Sequence, residues 1–268
     1  MSDETLTALL DEETAWPAEL PQHLSQTSLG MLERCPEMFR RRYVLHEIEP
    51  PSSSLIWGAA DGKAHQVNFT QKIDSHEDVP VAVVRDAFAS VFDEGVEGHG
   101  GWKEIDWRES SPGETKDRGV ALVSTYHEQV SPRVQPTGVE EKFALDLPGV
   151  PVPFIGYIDV SEETQSIERK TASQRSKVIP PHHRLQTLSY ALARRLPVEM
   201  HISTRTKLPA VVTARDEPGL MHAFDDAVAA QAERVLANRA RHLLALWREY
   251  GPEQPWPDAI GTMAWHVP

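Results

Sequence analysis

The chain has 268 residues, which suits one large domain or a core with a sizeable helical insertion. Its hydrophobic content of 40% and charged content of 25% are ordinary for a soluble globular protein, and it contains no apolar run long enough to span a membrane. The single cysteine, Cys35, excludes an internal disulfide and a four-cysteine metal site within one chain. Because the acidic N-terminus also lacks the features of a signal peptide, we expect a cytoplasmic protein.

The formal net charge of -13 argues against a polyanionic partner, but the charge is unevenly distributed. Residues 165–215 contain ten Lys or Arg and two acids, whereas residues 74–116 contain eleven acids and four bases. The first 22 residues contain six acids and no base. A basic middle of this kind favours an anionic ligand; the alternative is ordinary variation over solvated faces.

The first half of the chain has the patterns of helices. In LSQTSLGMLERCPEMFRRRYV, Ser25 or Ser28 can cap a helix that Pro36 must kink or split. Residues 96–118 are rich in Gly, Ser, Pro and charge, which predicts a long loop or a poorly packed insertion. Three further helices are predicted at 55–72, 80–95 and 119–131.

The second half alternates between strand and helix patterns. VEEKFALDL, VPFIGYIDV and SIERKTAS predict three strands, and SEETQ joins the last two into a hairpin. Pro180 and Pro181 open a helix that runs through HHRLQTLSYALARRL, and MHISTRT and PAVVTAR predict two short strands. Residues 220–249 predict the best helix, with a core face formed by Met221, Phe224, Val228, Ala232 and Val235.

This order of elements predicts an α/β fold in which helices flank a mixed β-sheet and a helical segment precedes it. The expected organisation has four parts. They are an acidic lead-in (1–22), an N-terminal helical segment packed on the core (23–135), the core itself (136–250) and a C-terminal tail (251–268).

The predicted hairpin contains the residues with the clearest chemistry. Asp159 lies near the end of its first strand, and Glu168 and Lys170 share a face of the second because they are two residues apart. Two converging carboxylates suit Mg²⁺ or Mn²⁺, which can bind a phosphate oxygen and lower the pKa of a bound water. The Lys170 ammonium would add positive charge for the transition state or position the attacking water.

Three other residues are candidates for the same site. His65, in a predicted helix, could complete a metal shell or contact a phosphate, or it could be an ordinary helix histidine. Gln186 and Tyr190 share a helix face because they are four residues apart. Gln186 could hydrogen-bond the scissile strand or Lys170, and Tyr190 could contact a phosphate or stack on a base.

Further candidates are basic or acidic. Arg40, Arg41 and Arg42, together with Arg34, could grip a DNA backbone, or they could be a solvated helix end. Glu140 or Glu141 could supply an accessory acid, because strand alternation allows only one of the two to face inward. We take Glu140 as the possible accessory acid. The basic middle adds three candidate DNA-binding residues: Arg175, Lys177 and Arg184.

These pieces resemble, in order, the RecB-like branch of the PD-(D/E)xK nucleases, which includes phage recombination exonucleases and CRISPR-associated exonucleases. The resemblance spans residues 24–195. It rests on the Cys-Pro-x-x-Phe segment, the Gly-x-x-His of GKAH, the Glu strand VEEKF, the Asp strand GYIDV, the Glu-x-Lys strand IERKTA and the Gln-x-x-x-Tyr helix QTLSY.

The resemblance implies a restriction-endonuclease-like fold and hydrolysis of DNA phosphodiesters, often from a strand end. It implies that His65, Asp159 and Glu168 bind Mg²⁺ or Mn²⁺, that Lys170 is catalytic, and that Gln186 and Tyr190 complete the site. Many relatives also bind an iron–sulfur cluster through the Cys-Pro cysteine and three C-terminal cysteines. This chain has Cys35 alone, so we expect no cluster and a buried, apolar role for Cys35.

The leading hypothesis is therefore a metal-dependent DNA exonuclease in recombination, repair or phage DNA metabolism, with DNA and recombination or CRISPR-type proteins as candidate partners. The first alternative is a non-catalytic DNA-binding or assembly module on the same fold. The second is a metal-dependent hydrolase of another substrate, against which the basic middle argues. The sequence leaves cleavage polarity, strand preference and oligomeric state open.

Overall fold

A computed structural model describes residues 16–107, 111–206 and 208–258. Most of the acidic lead-in, Lys207 and the end of the C-terminal tail therefore lie outside the described residues. The described chain forms two compact units. Unit 1 consists of the described parts of Met1–Ile48, Phe143–Gly156 and Asp226–Pro268, and unit 2 of Glu49–Lys142 and Tyr157–Asp225. The four-part division expected from the sequence stays a prediction.

Seven α-helices occur in the described residues, and none is long and apolar enough to cross a membrane. Short 3-10 turns lie at Trp102–Glu104, Ser131–Arg133 and Pro181–His183, and a π-helical turn follows α2 at Arg40–Val44. The helices are α1 (Gln26–Arg34), α2 (Pro36–Phe39), α3 (Ser53–Ser75), α4 (Val81–Gly98), α5 (Pro112–Gln129), α6 (Arg184–Arg194) and α7 (Asp226–Tyr250).

The sheet has six strands in the order β1-β2-β3-β4-β5, with β6 paired to β4. β2 and β3 form the predicted antiparallel hairpin, and β3 and β4 are parallel because α6 carries the chain back between them. β5 and β6 each pair antiparallel with β4. This confirms the mixed sheet flanked by helices. The strands are β1 (Gly138–Leu145), β2 (Phe154–Ser161), β3 (Ser166–Ala172), β4 (Val198–Thr204), β5 (Ala210–Val212) and β6 (Met221–His222).

In unit 1 the Cys-Pro segment is built as its sequence predicts. Ser25 caps α1 by accepting a hydrogen bond from the Ser28 backbone, and the Ser28 side chain accepts one from the Ser25 backbone in return. Cys35 is extended and buried, and Pro36 begins α2, so the helix is split. Gly156 in β2 accommodates the ring of Phe143, since a Cβ there would lie 2.4 Å from that ring.

In unit 2 the helices α3, α4 and α5 enclose an apolar core. Gly119 allows α5 to approach α4 closely, because a Cβ at this position would lie 1.9 Å from the Phe88 ring. A second cluster lies against the sheet, where Phe69 and Tyr126 pack on Val160 and Ile167. The first core contains Ile56, Trp57, Phe88, Phe92 and Leu122.

Two sequence predictions of elements were wrong. The loop expected through residue 118 ends at Ser111, whose hydroxyl caps α5 by accepting a hydrogen bond from the Glu114 backbone. The helix expected from residue 220 begins at Asp226, because Met221 pairs with β4 instead. Of the predicted core face, Ala232 is buried in α7, and the buried face otherwise consists mainly of Ala229, Leu236, Ala240 and Leu243.

Candidate active site

The hairpin of unit 2 places the candidate catalytic residues on neighbouring strands. Asp159 is in β2, and Glu168 and Lys170 are in β3, with Val160 opposite Ile167 in the register. Glu168 and Lys170 share one face of β3, as their spacing requires, and the Lys170 ammonium lies 2.5 Å from Glu168 Oε1. Lys170 remains partly open to solvent, with 30% side-chain exposure, whereas Glu168 is completely buried.

Helix α6 completes this cluster. The Gln186 amide lies 3.0 Å from Glu168 Oε2 and 3.1 Å from the Tyr190 hydroxyl, so it holds one carboxylate oxygen in place. The Tyr190 hydroxyl donates a hydrogen bond to the Tyr157 carbonyl of β2. The four-residue spacing of Gln186 and Tyr190 therefore brings both onto the hairpin, as expected from the sequence.

The two candidates for an accessory acid, Glu140 and Glu141, differ in backbone conformation and in contacts. Glu140 in β1 has a φ of 52°, the left-handed region, which interrupts the strand alternation on which the sequence argument relied. Its pKa is raised by partial burial and by the negative charge of Asp159, so Glu140 lies within electrostatic reach of the hairpin. Glu141 instead lies 3.3 Å from Arg194.

The electrostatics of the site are set by the buried Glu168 carboxyl, the partly buried Asp159 carboxylate and the Lys170 ammonium. Burial, and then the negative charge of Asp159, raises the pKa of Glu168 to about 7, although Lys170 partly opposes the rise. Burial lowers the pKa of Lys170, but Glu168 and Asp159 outweigh it and the net shift is upward. Two carboxylates that repel each other in a buried site favour binding of a cation, and the single ammonium neutralises only one of them.

A divalent metal is the group that such a site would hold, and the donor set fits it. Among the described residues, the close polar neighbour of Glu168 Oε1 is the Lys170 ammonium at 2.5 Å, and a carboxylate oxygen has a second lone pair that can bind a cation. Within the described residues no three His, Cys, Asp or Glu side chains form a ready-made metal shell. Mg²⁺ is commonly held by one or two carboxylates while water and substrate phosphates supply the other ligands. Asp159 and Glu168 meet that requirement.

His65 lies in a different cluster from the one the sequence suggests. It is buried in α3, with Nε2 3.6 Å from Asp61 Oδ1 and its ring 4.4 Å from that of Tyr126. Burial and the charge of Arg169 lower the pKa of His65 to about 4, although Asp61 opposes the shift. No contact joins His65 to Asp159 or Glu168 in the described structure, so its metal-binding role stays a prediction.

Arg169 is the residue between Glu168 and Lys170, and sequence reasoning gave it no role. Its side chain points to the other face of β3, where it lies 2.5 Å from Asp61 and 4.9 Å from the centre of the Tyr126 ring. Its backbone N–H donates a 2.8 Å hydrogen bond to Asp159. The alternation of side chains along β3 indicates that Arg169 faces away from Glu168. Its partner, Asp61, is 108 residues away in the sequence, so no local pattern indicates this pairing.

Two more residues near the site were missed. Tyr157 shares a strand face with Asp159 and is 51% exposed, so the i, i+2 rule could have found it. His183 lies in the short turn before α6, where burial and the positive charge of Lys170 lower its pKa to about 3. The pair of histidines in PPHHRLQ marks this turn in the sequence.

The arginines and the lysine predicted to bind DNA differ in how buried their side chains are. Arg40 is buried in unit 1, where its guanidinium binds Glu37 at 2.8 Å and the Pro252 carbonyl at 2.7 Å. Its proposed grip on DNA is therefore corrected to a structural contact. Arg41, Arg42, Arg175, Lys177 and Arg184 are all exposed, and the last three belong to the same unit as the hairpin.

The geometry of the β2–β3 hairpin and of α6 agrees with the protein family whose pattern most of the chain matches. Residues 23–254 match the PD-(D/E)XK nuclease superfamily, and the chain belongs to that superfamily. Nucleases of this superfamily generally use divalent metals such as Mg²⁺. No curated protein matches the chain.

Two solved structures are similar in fold. The crystal structure of "Putative exonuclease" from Eubacterium rectale is 10% identical, with a TM-score of 0.56, over 96% of this chain and 89% of the other. The crystal structure of SSO0001 is 11% identical, with a TM-score of 0.31, over 77% of this chain and 83% of the other. At this level of identity the first structure supports the fold alone.

Proposed function

We propose that the protein is a Mg²⁺- or Mn²⁺-dependent deoxyribonuclease, and that it is an exonuclease of the RecB-like branch with a role in DNA recombination, repair or phage DNA metabolism. The observation that supports this most directly is the cluster of Asp159, Glu168 and Lys170, in which Gln186 holds the buried carboxylate. Membership of a nuclease superfamily supplies the reaction class.

In this proposal, each side chain of the cluster has a different role in phosphodiester hydrolysis. Asp159 and Glu168 would hold the metal, which supplies Lewis-acid stabilisation of the phosphate and a more acidic water. Lys170, partly exposed beside Glu168, would stabilise the charge that develops on the phosphate or position the attacking water. Gln186 and Tyr190 would orient Glu168 and β2 through their hydrogen bonds, and Glu140, whose pKa is raised in part by Asp159, would be the accessory acid.

The substrate surface would extend from this cluster over exposed groups of unit 2. Arg175, Lys177 and Arg184 offer cations for the DNA backbone, and each phosphate contact would make binding more sensitive to salt. The "Putative exonuclease" from Eubacterium rectale shares the fold, which is compatible with an activity that begins at strand ends. For a nuclease with this function, the expected protein partners are recombination or CRISPR-type proteins.

Digestion of end-labelled single- and double-stranded DNA with Mg²⁺ or Mn²⁺ tests the proposal. We expect cleavage that stops with chelator and falls at least ~10²-fold in Lys170→Ala, since a lost charge-stabilising group typically costs that much. Arg248→Ala, which changes an exposed arginine of α7, serves as the matched control. Full activity of Lys170→Ala would contradict the mechanism, and salt-dependent DNA binding without cleavage in any metal would favour the non-catalytic module.

The absence of an iron–sulfur cluster belongs to the same proposal. Cys35 is buried and is the only cysteine of the sequence, so four cysteine ligands are not available within one chain. We expect purified protein to contain no stoichiometric iron or acid-labile sulfide and to lack absorbance near 400 nm. Stoichiometric iron with sulfide would show that ligands come from elsewhere.

A further inference from the structure

Unit 2 contains a cavity of about 150 Å³ that is separate from the candidate active site. The β2–β3 turn contributes Glu162 and Gln165 to its wall, and β4 contributes Glu199 and His201. Ile167 also lines it, and Glu199 and His201 pair with Ile167 and Arg169 in the parallel register. The cavity therefore opens on the face of β3 opposite Glu168 and Lys170.

The two carboxylates of the cavity are already used by the protein. Glu199 accepts hydrogen bonds from the Ala214 N–H at 2.7 Å and from the Gln165 amide at 3.1 Å, and it lies 3.4 Å from His201. Burial raises the pKa of Glu199, but the hydrogen bonds, led by that of His201, outweigh it and the pKa is lowered. Glu162 accepts hydrogen bonds from the Gln135 N–H at 2.8 Å and from Gln165 at 2.7 Å.

The two guanidinium groups of the cavity are not used in this way. Arg133 follows α5 and Arg215 follows β5, and both side chains are exposed at the cavity wall. Neither guanidinium has a hydrogen-bond or ion-pair partner among the described residues. Each guanidinium carries five N–H donors in a planar fork that matches the oxygens of phosphate or carboxylate. The unused hydrogen-bonding capacity of the cavity therefore consists mainly of donors.

We propose that this cavity binds a small phosphate-type anion through Arg133 and Arg215. A ligand whose oxygens only accept hydrogen bonds complements donors that have no partner, and paired guanidinium contacts to phosphate are short and strong. The charges of Arg133 and Arg215 balance those of Glu162 and Glu199, so selectivity comes from directional hydrogen bonds rather than from net charge. Phosphate is therefore preferred to chloride at equal ionic strength.

The ligand can come from two sources with the same chemistry, inorganic phosphate or the terminal phosphate of a nucleotide. The cavity is large enough for a phosphate group and several waters, since one water in liquid occupies roughly 30 Å³. The nucleotide would have to leave its sugar and base outside the cavity. Comparing inorganic phosphate with a deoxynucleoside 5′-monophosphate separates the two sources.

The test uses the full chain in chelator, with thermal unfolding and calorimetric titration by inorganic phosphate at constant ionic strength. We expect a saturable rise in Tm that chloride does not give, and loss of that rise in the double variant Arg133→Gln/Arg215→Gln. Because both side chains are exposed, the double variant is expected to fold, which its circular dichroism checks. Arg248→Gln, a change of an exposed arginine in α7, should keep the response.

Lys170→Ala distinguishes this cavity from the candidate active site, and the inference does not depend on nuclease activity. Retention of the phosphate response in Lys170→Ala supports binding at the cavity. Loss of the response in Lys170→Ala, an unchanged response in the double arginine variant, or no phosphate-specific response in the wild type would each overturn the proposal. A deoxynucleoside monophosphate that binds at least tenfold more tightly than inorganic phosphate would identify the nucleotide as the ligand.

Discussion

The two faces of β3 differ in how their charges are compensated. On one face, Glu168 is buried beside Lys170, the Gln186 amide and the Tyr190 hydroxyl, and burial together with the charge of Asp159 raises its pKa to about 7. On the other face, Arg169 is buried against Asp61, whose pKa burial raises but Arg169 and His65 together lower to about 2. On the first face, ionisation of Glu168 is unfavourable, whereas on the second face the charges of Asp61 and Arg169 form an ion pair.

This difference separates a functional from a structural use of buried charge. A buried carboxylate that the folded protein stabilises poorly is stabilised most by binding a cation, because the cation relieves the repulsion between neighbouring carboxylates. A fully paired group gains little from a ligand and instead stabilises the fold against loss of its partner. Mutations on the Glu168 face should therefore reduce activity with little loss of stability, and mutations on the Arg169 face should do the reverse.

The largest effect is expected from Glu168→Gln. Removing the carboxylate that we propose binds the metal should reduce DNA cleavage by at least roughly 10²–10³-fold, similar to the loss of other preorganised charge contacts. Because the folded-state pKa of about 7 exceeds the ordinary value of 4.5, Glu168 favours folding at low pH, and this contribution is lost as pH rises through about 7.

Glu168→Gln should consequently unfold at a higher temperature than the wild type at pH 8 in chelator, and the difference should shrink towards pH 5. Thermal unfolding across this pH range measures it, with Glu163→Gln in the exposed turn as the control. A lower Tm of Glu168→Gln at pH 8 would show that Glu168 is compensated within the protein and would remove the contrast between the two faces.

The second effect concerns Asp61, on the opposite face. Asp61→Leu leaves the Arg169 guanidinium buried without its partner, which typically costs about 3–5 kcal/mol of stability. The double variant Asp61→Leu/Arg169→Met removes both charges, and such replacements are often close to neutral in stability. Chemical denaturation measures both, and we expect the double variant to recover most of the lost free energy of unfolding.

Cleavage by the double variant tests whether Arg169 acts only on the fold. We expect kcat within about fivefold of the wild type at a temperature well below unfolding, because the backbone N–H that binds Asp159 is retained. A loss of kcat greater than a hundredfold in a stable double variant would mean that the Asp61–Arg169 pair positions the carboxylates, and the two faces would no longer be separable.

The sequence was most informative where the constraints are local. The two-residue spacing of Glu168 and Lys170 and the four-residue spacing of Gln186 and Tyr190 place each pair on one face of its own strand or helix, without knowledge of the tertiary fold. The contact of Gln186 with Glu168, rather than with Lys170, depends on how α6 packs on β3. The pairing of Asp61 with Arg169 spans 108 residues and depends on how α3 packs against the sheet. No periodicity in either segment contains that information.

Other differences between sequence and structure have equally specific causes. Alternation could not choose between Glu140 and Glu141, because it does not reveal the positive φ angle of Glu140 within β1. The start of α5 is signalled by Ser111 and Pro112, but the surrounding polar residues suggested a loop. β6 is two residues long and exists because β4 offers an edge, so Met221 was assigned to the following helix.

A third, smaller effect is expected from Tyr157, which is exposed two residues before Asp159. If DNA crosses this face, its base or sugar can stack on the ring, and base–aromatic stacking is worth about 1–3 kcal/mol per base. Tyr157→Ala should therefore raise KM for DNA at least fivefold with little change in stability. Tyr157→Phe keeps the ring and should behave as the wild type; equal KM values for all three proteins would exclude stacking at this position.

The smallest effect on catalysis is expected from Tyr126→Phe, on the Arg169 face. The Tyr126 hydroxyl lies 2.7 Å from His201 Nδ1 in a buried site, and the ring lies beneath the Arg169 guanidinium. Phenylalanine keeps the ring but leaves the histidine nitrogen without its partner, at a cost of about 1–3 kcal/mol in the free energy of unfolding. Chemical denaturation should detect this loss while kcat and KM for DNA stay within about twofold.

Tyr250→Phe, at the end of α7, controls for loss of a tyrosine hydroxyl. A large fall in kcat for Tyr126→Phe without a loss of stability would show that the Tyr126–His201 hydrogen bond acts on Asp159 through the Arg169 stacked on the ring. Compensation of charge alone would then not separate the two faces of β3.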